Sequence, residues 1–169
     1  MTEDELPDWD RIVEQDAKRV FRVALRILRS VHDAEDVAQD VFTEALRLHR
    51  KGPVQSWTGL LVRLATLRSL DRLRRHRPSV ELRDDDRVST VGPVEEAGAR
   101  ELADWLGKAI ARLPEQQATV FVMHHFEQLS RAEISATLGV SADAVSTALY
   151  KARQRLLTQL AVSNRGDRP

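Results

Sequence analysis

The stretch LSRAEISATLGVSADAVSTALYKARQRL, Leu129 to Leu156, decides the fold of this 169-residue chain. Ser130-x-x-Glu133 is a capping box, in which each residue satisfies a free backbone N–H of the other at the start of a short helix. Leu138-Gly139 ends that helix, because glycine accepts the left-handed conformation of a sharp turn. Val140 is placed to plug the space between two helices, and Ser141 caps the second. In that second helix Val145, Ala148, Leu149, Ala152 and Leu156 share one face. Asp143, Ala144, Ser146, Thr147, Tyr150, Lys151, Arg153 and Gln154 stay outside. A short helix, a glycine turn and a longer helix with a polar outer face predict a helix-turn-helix, whose second helix enters a DNA major groove. Ser130 and Arg131, at the start of the first helix, are also expected to contact DNA. The outer face is lean in Arg and Lys. Phosphate neutralisation dominates affinity, so weak binding is expected from this motif alone.

Helical periodicity continues outward on both sides. Apolar residues at spacings of three and four predict helices over Trp9–Leu28, from near Asp33 to about Leu48, and from Trp57 to His76. Gly52-Pro53 marks a loop before the third, and Pro78 ends it. Further helices are predicted at about Arg100–Arg112, Glu115–Glu127, Ser130–Leu138 and Ser141–Ala161, with no convincing strand. Between them, RDDDRVSTVGPVEEAG has charge, Gly and Pro but almost no core, and reads as a linker. The expected class is all-α: two small helical domains, over residues 5–78 and 101–162, joined by a flexible acidic linker at 79–100 and followed by a tail at 163–169. Cores of that size promise modest stability.

Lys plus Arg and Asp plus Glu both number 26, so the net charge is zero and total charge advertises no partner. Its distribution does, since neutrality arises by cancellation of blocks. Arg63–Arg77 holds six Arg against one Asp, whereas Glu81–Asp104 holds eight acids against three Arg. There is no cysteine, which excludes disulfides, thiolate metal sites and thiol catalysis. The polar start MTEDELPDWD does not resemble a signal peptide, and no apolar run is long enough to span a membrane. A soluble, cytoplasmic protein without membrane insertion is expected.

Two further stretches carry chemistry. RLATLRSLDRLRRHRP sets Arg63, Arg68, Arg72, Arg74, Arg75 and Arg77 around a leucine stripe. Arginine is the residue that grips phosphates bidentately. The adjoining loop offers Lys51 and Trp57, and an aromatic beside a positive track suits single-stranded nucleic acid. DAEDVAQDVFTEAL, Asp33–Leu46, puts five carboxylates into fourteen residues. Those of the first turn suit the helix dipole without any partner. Gln39, Asp40 and Phe42 are not explained that way, and with Asp33 and Asp36 they make a polar patch with an aromatic anchor. DNA would repel it, so a protein partner is expected.

DAEDVAQDVF, LATLRSLDRLRR, Leu113-Pro114 and EISATLGVSADAVSTALYKARQRL together resemble bacterial RNA polymerase sigma factors of the extracytoplasmic-function group. The resemblance covers Trp9–Pro78 and Glu101–Leu160, in the family's order. It implies that the acidic helix binds the clamp helices of the polymerase β′ subunit and that the second domain meets the β flap. It further implies that the basic helix melts promoter DNA at the minus-ten element, that the helix-turn-helix reads the minus-thirty-five element, and that an anti-sigma factor masks these surfaces. No cofactor, metal or small-molecule substrate is implied. The chain departs from the family pattern at Leu67, where Asn is usual, and at Leu60, where the usual Trp sits one turn earlier as Trp57. Ala118 and Ala148 stand where Arg is frequent, Ala144 where Thr is, and Ser146 where a basic residue is.

Two other readings compete. A free-standing helix-turn-helix regulator leaves Asp36 and Gln39 without a role. A metal hydrolase built on His124, His125 and Glu127 lacks an H-E-x-x-H spacing, and adjacent histidines diverge by about 100° on a helix.

Overall fold

The computed structural model describes residues 7–75 and 95–166. Arg77, Pro78 and residues 79–94 of the linker expected over 79–100, with Asp84, Asp85 and Asp86, lie outside the described residues. The described chain forms seven helices: α1 (Trp9–Leu28), α2 (Val31–His49), α3 (Trp57–Arg75), α4 (Glu95–Ala111), α5 (Glu115–His125), α6 (Arg131–Leu138) and α7 (Ala142–Gly166). No strand occurs among the described residues.

Local chemistry sets most boundaries. Asp8 caps α1 by accepting from the Arg11 N–H at 3.1 Å, and Arg29 ends it in the left-handed region at φ 59°. Ser30 accepts from the Asp33 N–H at 3.3 Å, so α2 begins at Val31, ahead of the expected start. Ser56 Oγ accepts from the Gly59 N–H at 3.1 Å and opens α3. The helix-turn-helix forms as its sequence predicts. The capping box closes both ways, Ser130 N–H to Glu133 at 2.7 Å and Glu133 N–H to Ser130 at 3.2 Å. Gly139 adopts φ 65°, and Ser141 Oγ caps α7 through the Ala144 N–H at 3.1 Å.

Further boundaries differ from expectation, and α5 ends at His125, two residues short of the expected Glu127. Helix α4 starts at Glu95, inside the segment read as linker, and α7 runs to Gly166, past the predicted end near Ala161. Residues 97–102 are exposed, so this part of α4 has no apolar stripe and leaves no periodicity to read.

Helices α1, α2 and α3 pack as a bundle through Val20, Val23 and Ile27, Val37 and Val41, and Leu61, Val62 and Leu70, each no more than 2% exposed. Helices α5, α6 and α7 pack around Val120, Val122, Met123, Ile134, Val145 and Leu149. Two separate cores are expected from the sequence, yet the buried residues form one contiguous cluster. Helix α4 packs against α1, α3 and α7, and α3 also touches α5 and α6. Glycine permits the closest approaches. A Cβ on Gly107 of α4 would stand 2.9 Å from the Ile27 carbonyl oxygen of α1, and one on Gly59 of α3 would collide with Thr137 Oγ1 of α6.

Candidate nucleic-acid and partner interfaces

The acidic helix and the basic helix face one another. Arg72 of α3 donates from Nε to Asp33 at 2.9 Å and from Nη2 to Asp36 at 3.0 Å. Arg68 donates from Nε to Glu44 at 2.6 Å. Burial works against the Arg72 charge, but the two carboxylates more than offset it and hold its pKa above the usual value. The hydrogen bond that Arg68 donates to Glu44 likewise raises the Arg68 pKa. Two of the arginines read as phosphate-facing are therefore engaged by α2. Between the helices lies an open cleft of about 580 Å³ with Asp40, Thr43, Glu44, Arg47, Lys51, Arg68 and Arg75 on its walls.

Of the acidic patch, Gln39 and Asp40 are exposed, and Asp33 and Asp36 are half-buried beside Arg72. Phe42 is half-buried rather than a free anchor: its ring meets Trp9 edge-on, with centroids 6.3 Å apart. Trp9 in turn packs edge-on against Trp57 at 5.4 Å, and His49 tilts over the other flank of Trp57 at 5.4 Å. Trp57 therefore reaches the loop surface from within an aromatic cluster, only part of its ring open to solvent.

Lys51 and Arg75 are exposed and Arg63 is half-exposed. Lys51, the loop to Ser56 and Arg63 form one wall of a cleft of about 770 Å³, whose other wall is Ala136–Gly139 of the helix-turn-helix. Arg74 reaches across to the turn after α4, donating to the Ala111 carbonyl at 2.8 Å and the Leu113 carbonyl at 3.3 Å.

On the helix-turn-helix, Ser130, Arg131, Ser141, Asp143, Thr147, Tyr150, Lys151 and Arg153 are exposed, and Ala144 and Ser146 are half-exposed. Tyr150 stands out at 65% exposure. Ala118 and Ala148 are buried, so their small size belongs to packing and not to the outward face. Arg153 donates from Nε to His125 Nε2 at 3.4 Å, which requires a neutral imidazole. Burial, then Arg153, then His124 lower the His125 pKa. His124 Nδ1 pairs with the Leu129 carbonyl at 2.9 Å. Glu127 turns away from both histidines toward α1, and no cluster able to hold a metal ion occurs among the described residues.

Sequence reasoning missed Asp16 and Glu127. Asp16 is 6% exposed and accepts from the Thr58 hydroxyl at 3.1 and 3.2 Å, tying α1 to α3. Its signal, a carboxylate amid the apolar positions Ile12, Val20 and Val23, is visible in the sequence. Glu127 has no such signal. Among the described residues, no helix is long and apolar enough to cross a membrane.

Comparison with known proteins gives the class. The Sigma-70 region 2 family matches residues 12–78 and the Sigma-70 region 4 family matches residues 103–156. The sigma factor SigE of Mycolicibacterium smegmatis is 36% identical over 162 residues, covering 92% of this chain and 63% of SigE. SigM of Mycobacterium tuberculosis is 30% identical over 165 residues, covering 94% of this chain and 80% of SigM. SigW of Bacillus subtilis is 29% identical, covering 88% of this chain and 87% of SigW. All three are named extracytoplasmic-function RNA polymerase sigma factors, and this chain belongs to that family. Its fold is similar to CnrH in complex with the cytosolic domain of CnrY, with TM-score 0.62 at 20% identity over 91% of this chain and 88% of CnrH. It is also similar to RpoE bound to the anti-sigma factor NepR from Bartonella quintana, with TM-score 0.56 at 18% identity over 96% of this chain and all of that one.

Proposed function

We propose that this chain is a transcription initiation factor that binds core RNA polymerase in the cytoplasm and directs it to specific promoters, without catalysis or cofactor of its own. The observation that carries this reading is the co-occurrence, in order, of both sigma regions with an exposed Gln39–Asp40 edge on α2 and an exposed polar face on α7. The α2 edge, with Asp33, Asp36 and Phe42 behind it, docks on the β′ clamp helices, and α5–α7 meet the β flap. Lys51, Trp57, Arg63 and Arg75 take the melted strand near the minus-ten element. Arg68, Arg72 and Arg74 complete that basic track when their carboxylate and carbonyl partners are exchanged for phosphates, and Arg77 follows them in the sequence. Ser141–Arg153 lies in the major groove of the minus-thirty-five element. Attachment to polymerase supplies the effective concentration that a cation-poor recognition helix lacks. An anti-sigma factor, as in the NepR complex of a similar fold, is the expected antagonist.

Co-elution with bacterial core polymerase on a sizing column tests this. The wild type is expected to co-elute, and Asp40→Arg and Asp36→Arg to fail. Asp40 is the cleaner site because Asp36 also holds Arg72. A wild type that elutes alone would favour a regulator that never engages polymerase.

A further inference from the structure

Arg153 is exposed on α7, and among the described residues it has no carboxylate partner, whereas Arg29, Arg68 and Arg72 each have one or more. Its Nε at 3.4 Å and its Nη2 at 3.2 Å instead converge on a single atom, Nε2 of His125 at the end of α5. Two adjacent N–H groups of a guanidinium are what grips a phosphate through two oxygens. A neutral imidazole offers them one lone pair and no charge. It holds the guanidinium in place without cancelling it.

The ring itself is fixed. Phe121 lies at a tilt to it with centroids 4.6 Å apart, and His124 meets it edge-on at 4.9 Å. Gln128 donates to the His125 carbonyl at 2.9 Å. His125 also borders a cleft of about 390 Å³, with Arg26 and Arg29 of α1 and the uncharged Leu106 and Gly107 of α4 on its walls. The charged and titratable groups around it are therefore Arg153, His124, Arg26 and Arg29. The nearby carboxylates are turned elsewhere. Glu127, its side chain only 1% exposed, pairs with Arg19 at 3.5 Å, Arg22 at 3.2 Å and Arg26 at 3.7 Å, and Asp104 pairs with Arg29. In the free protein a proton on the ring thus joins a group of cations, and burial, Arg153 and His124 all oppose it.

An anion reverses that balance. A phosphate set against Arg153 favours the charged ring beside it, and a protonated imidazole donates from both nitrogens. We propose that His125 and Arg153 form a phosphate seat on the flank of the recognition helix, in which the imidazole takes up one proton as a DNA phosphate arrives and becomes the second donor to it. The proposal rests on the reading of α7 as the helix that enters the major groove. The proton comes from solvent, and no covalent bond other than the new N–H changes. The seat extends the DNA-binding surface onto α5 and adds a cation to a face lean in Arg and Lys. DNA binding and proton binding are then linked reciprocally. Affinity rises as pH falls between the ring's value in the complex and its lower value in the free protein.

The full-length protein is titrated onto a fluorescein-labelled duplex of mixed sequence at pH 7.5 and pH 6.0, either side of the ordinary histidine value of about 6.5. His125→Gln keeps an acceptor for Arg153 but does not charge, and His125→Lys is charged at both pH values. Lys151→Glu reverses a charge on the exposed face of α7 and leaves the ring alone. Circular dichroism at both pH values checks that each protein is folded. The wild type is expected to gain about threefold or more in affinity at pH 6.0 relative to the gain of His125→Gln. His125→Lys is expected to bind at pH 7.5 about as tightly as the wild type does at pH 6.0. Calorimetric titrations in two buffers of different ionisation enthalpy count protons, and the wild type is expected to take up more than His125→Gln. Equal pH gains, or equal proton uptake, in the wild type and His125→Gln would overturn the seat. Lys151→Glu separates this from the reading of α7. If it weakens binding while His125→Gln keeps the wild-type pH response, the recognition helix stands and the seat fails. If it binds as the wild type does, α7 is not the DNA-facing helix and both fail.

Discussion

His125 shows how a single side chain ties stability to pH in the second domain. Its Nε2 accepts from the Arg153 guanidinium, so protonation replaces a hydrogen bond with a repulsion, and His124 adds to it. Burial first, and then these two neighbours, lower the folded-state pKa, so the unfolded chain takes up the proton first. Stability from this group is fully present above the ordinary histidine value of about 6.5 and is lost as pH falls through it toward the lower folded value. Thermal melts at pH 7.5 and pH 5.5 check this. The wild type is expected to lose more of its midpoint on acidification than His125→Gln, which keeps a polar side chain but does not titrate. Equal losses would show that other groups set the acid limb. The capping residues of the helix-turn-helix were legible in advance at this scale, because Ser130, Glu133, Gly139 and Ser141 act on backbone groups within four residues of themselves. His125 was not, because its partner Arg153 lies on another helix.

Between elements, the decisive contacts are polar ones that periodicity does not report. The apolar stripes of α1, α2, α3 and α7 were readable since each repeats every three or four residues, and the buried face of α7 is the one its sequence assigns. The charges were readable only as runs. That the run on α3 meets the run on α2, so that Arg72 holds Asp33 and Asp36 and Arg68 holds Glu44, depends on how two helices are set side by side. The same holds for Asp16, whose carboxylate is buried against the Thr58 hydroxyl. Thr58→Val keeps the shape of the side chain and leaves that carboxylate without its donor. A buried group stripped of its partner costs about 1–3 kcal/mol. Urea denaturation should show a loss of that size for Thr58→Val. Thr43→Val, at an exposed hydroxyl on α2, should stay within about 0.5 kcal/mol of the wild type. Comparable losses at both sites would mean that Asp16 finds water or another donor when Thr58 is gone.

At the scale of the whole molecule, the sequence divides the chain in two and the fold joins it. The division rests on a composition break, whereas the joining rests on features too sparse to read: a carboxylate among three arginines, and glycines where helices approach closely. Arg19, Arg22, Arg26 and Arg29 look in sequence like an ordinary solvated face of α1, yet Arg29 also reaches Asp104 of α4 at 3.4 Å. Because the buried residues form one contiguous cluster, the two regions should unfold as one unit, with calorimetric and van't Hoff enthalpies in agreement. Gly107 is the position at which to break that unity. A Cβ there would stand 2.9 Å from the Ile27 carbonyl oxygen, and backbone at the end of α1 cannot swing aside as a side chain can. Gly107→Ala therefore pushes α4 off α1 while favouring the helix in which it sits. Scanning calorimetry is expected to give one transition for the wild type and two, or one broadened well below the two-state enthalpy ratio, for Gly107→Ala. Two transitions in the wild type would mean that the regions melt independently despite their shared core. A single sharp transition in the variant would mean that contacts other than the α1–α4 crossing carry the coupling, with the Glu127 cluster the next to remove.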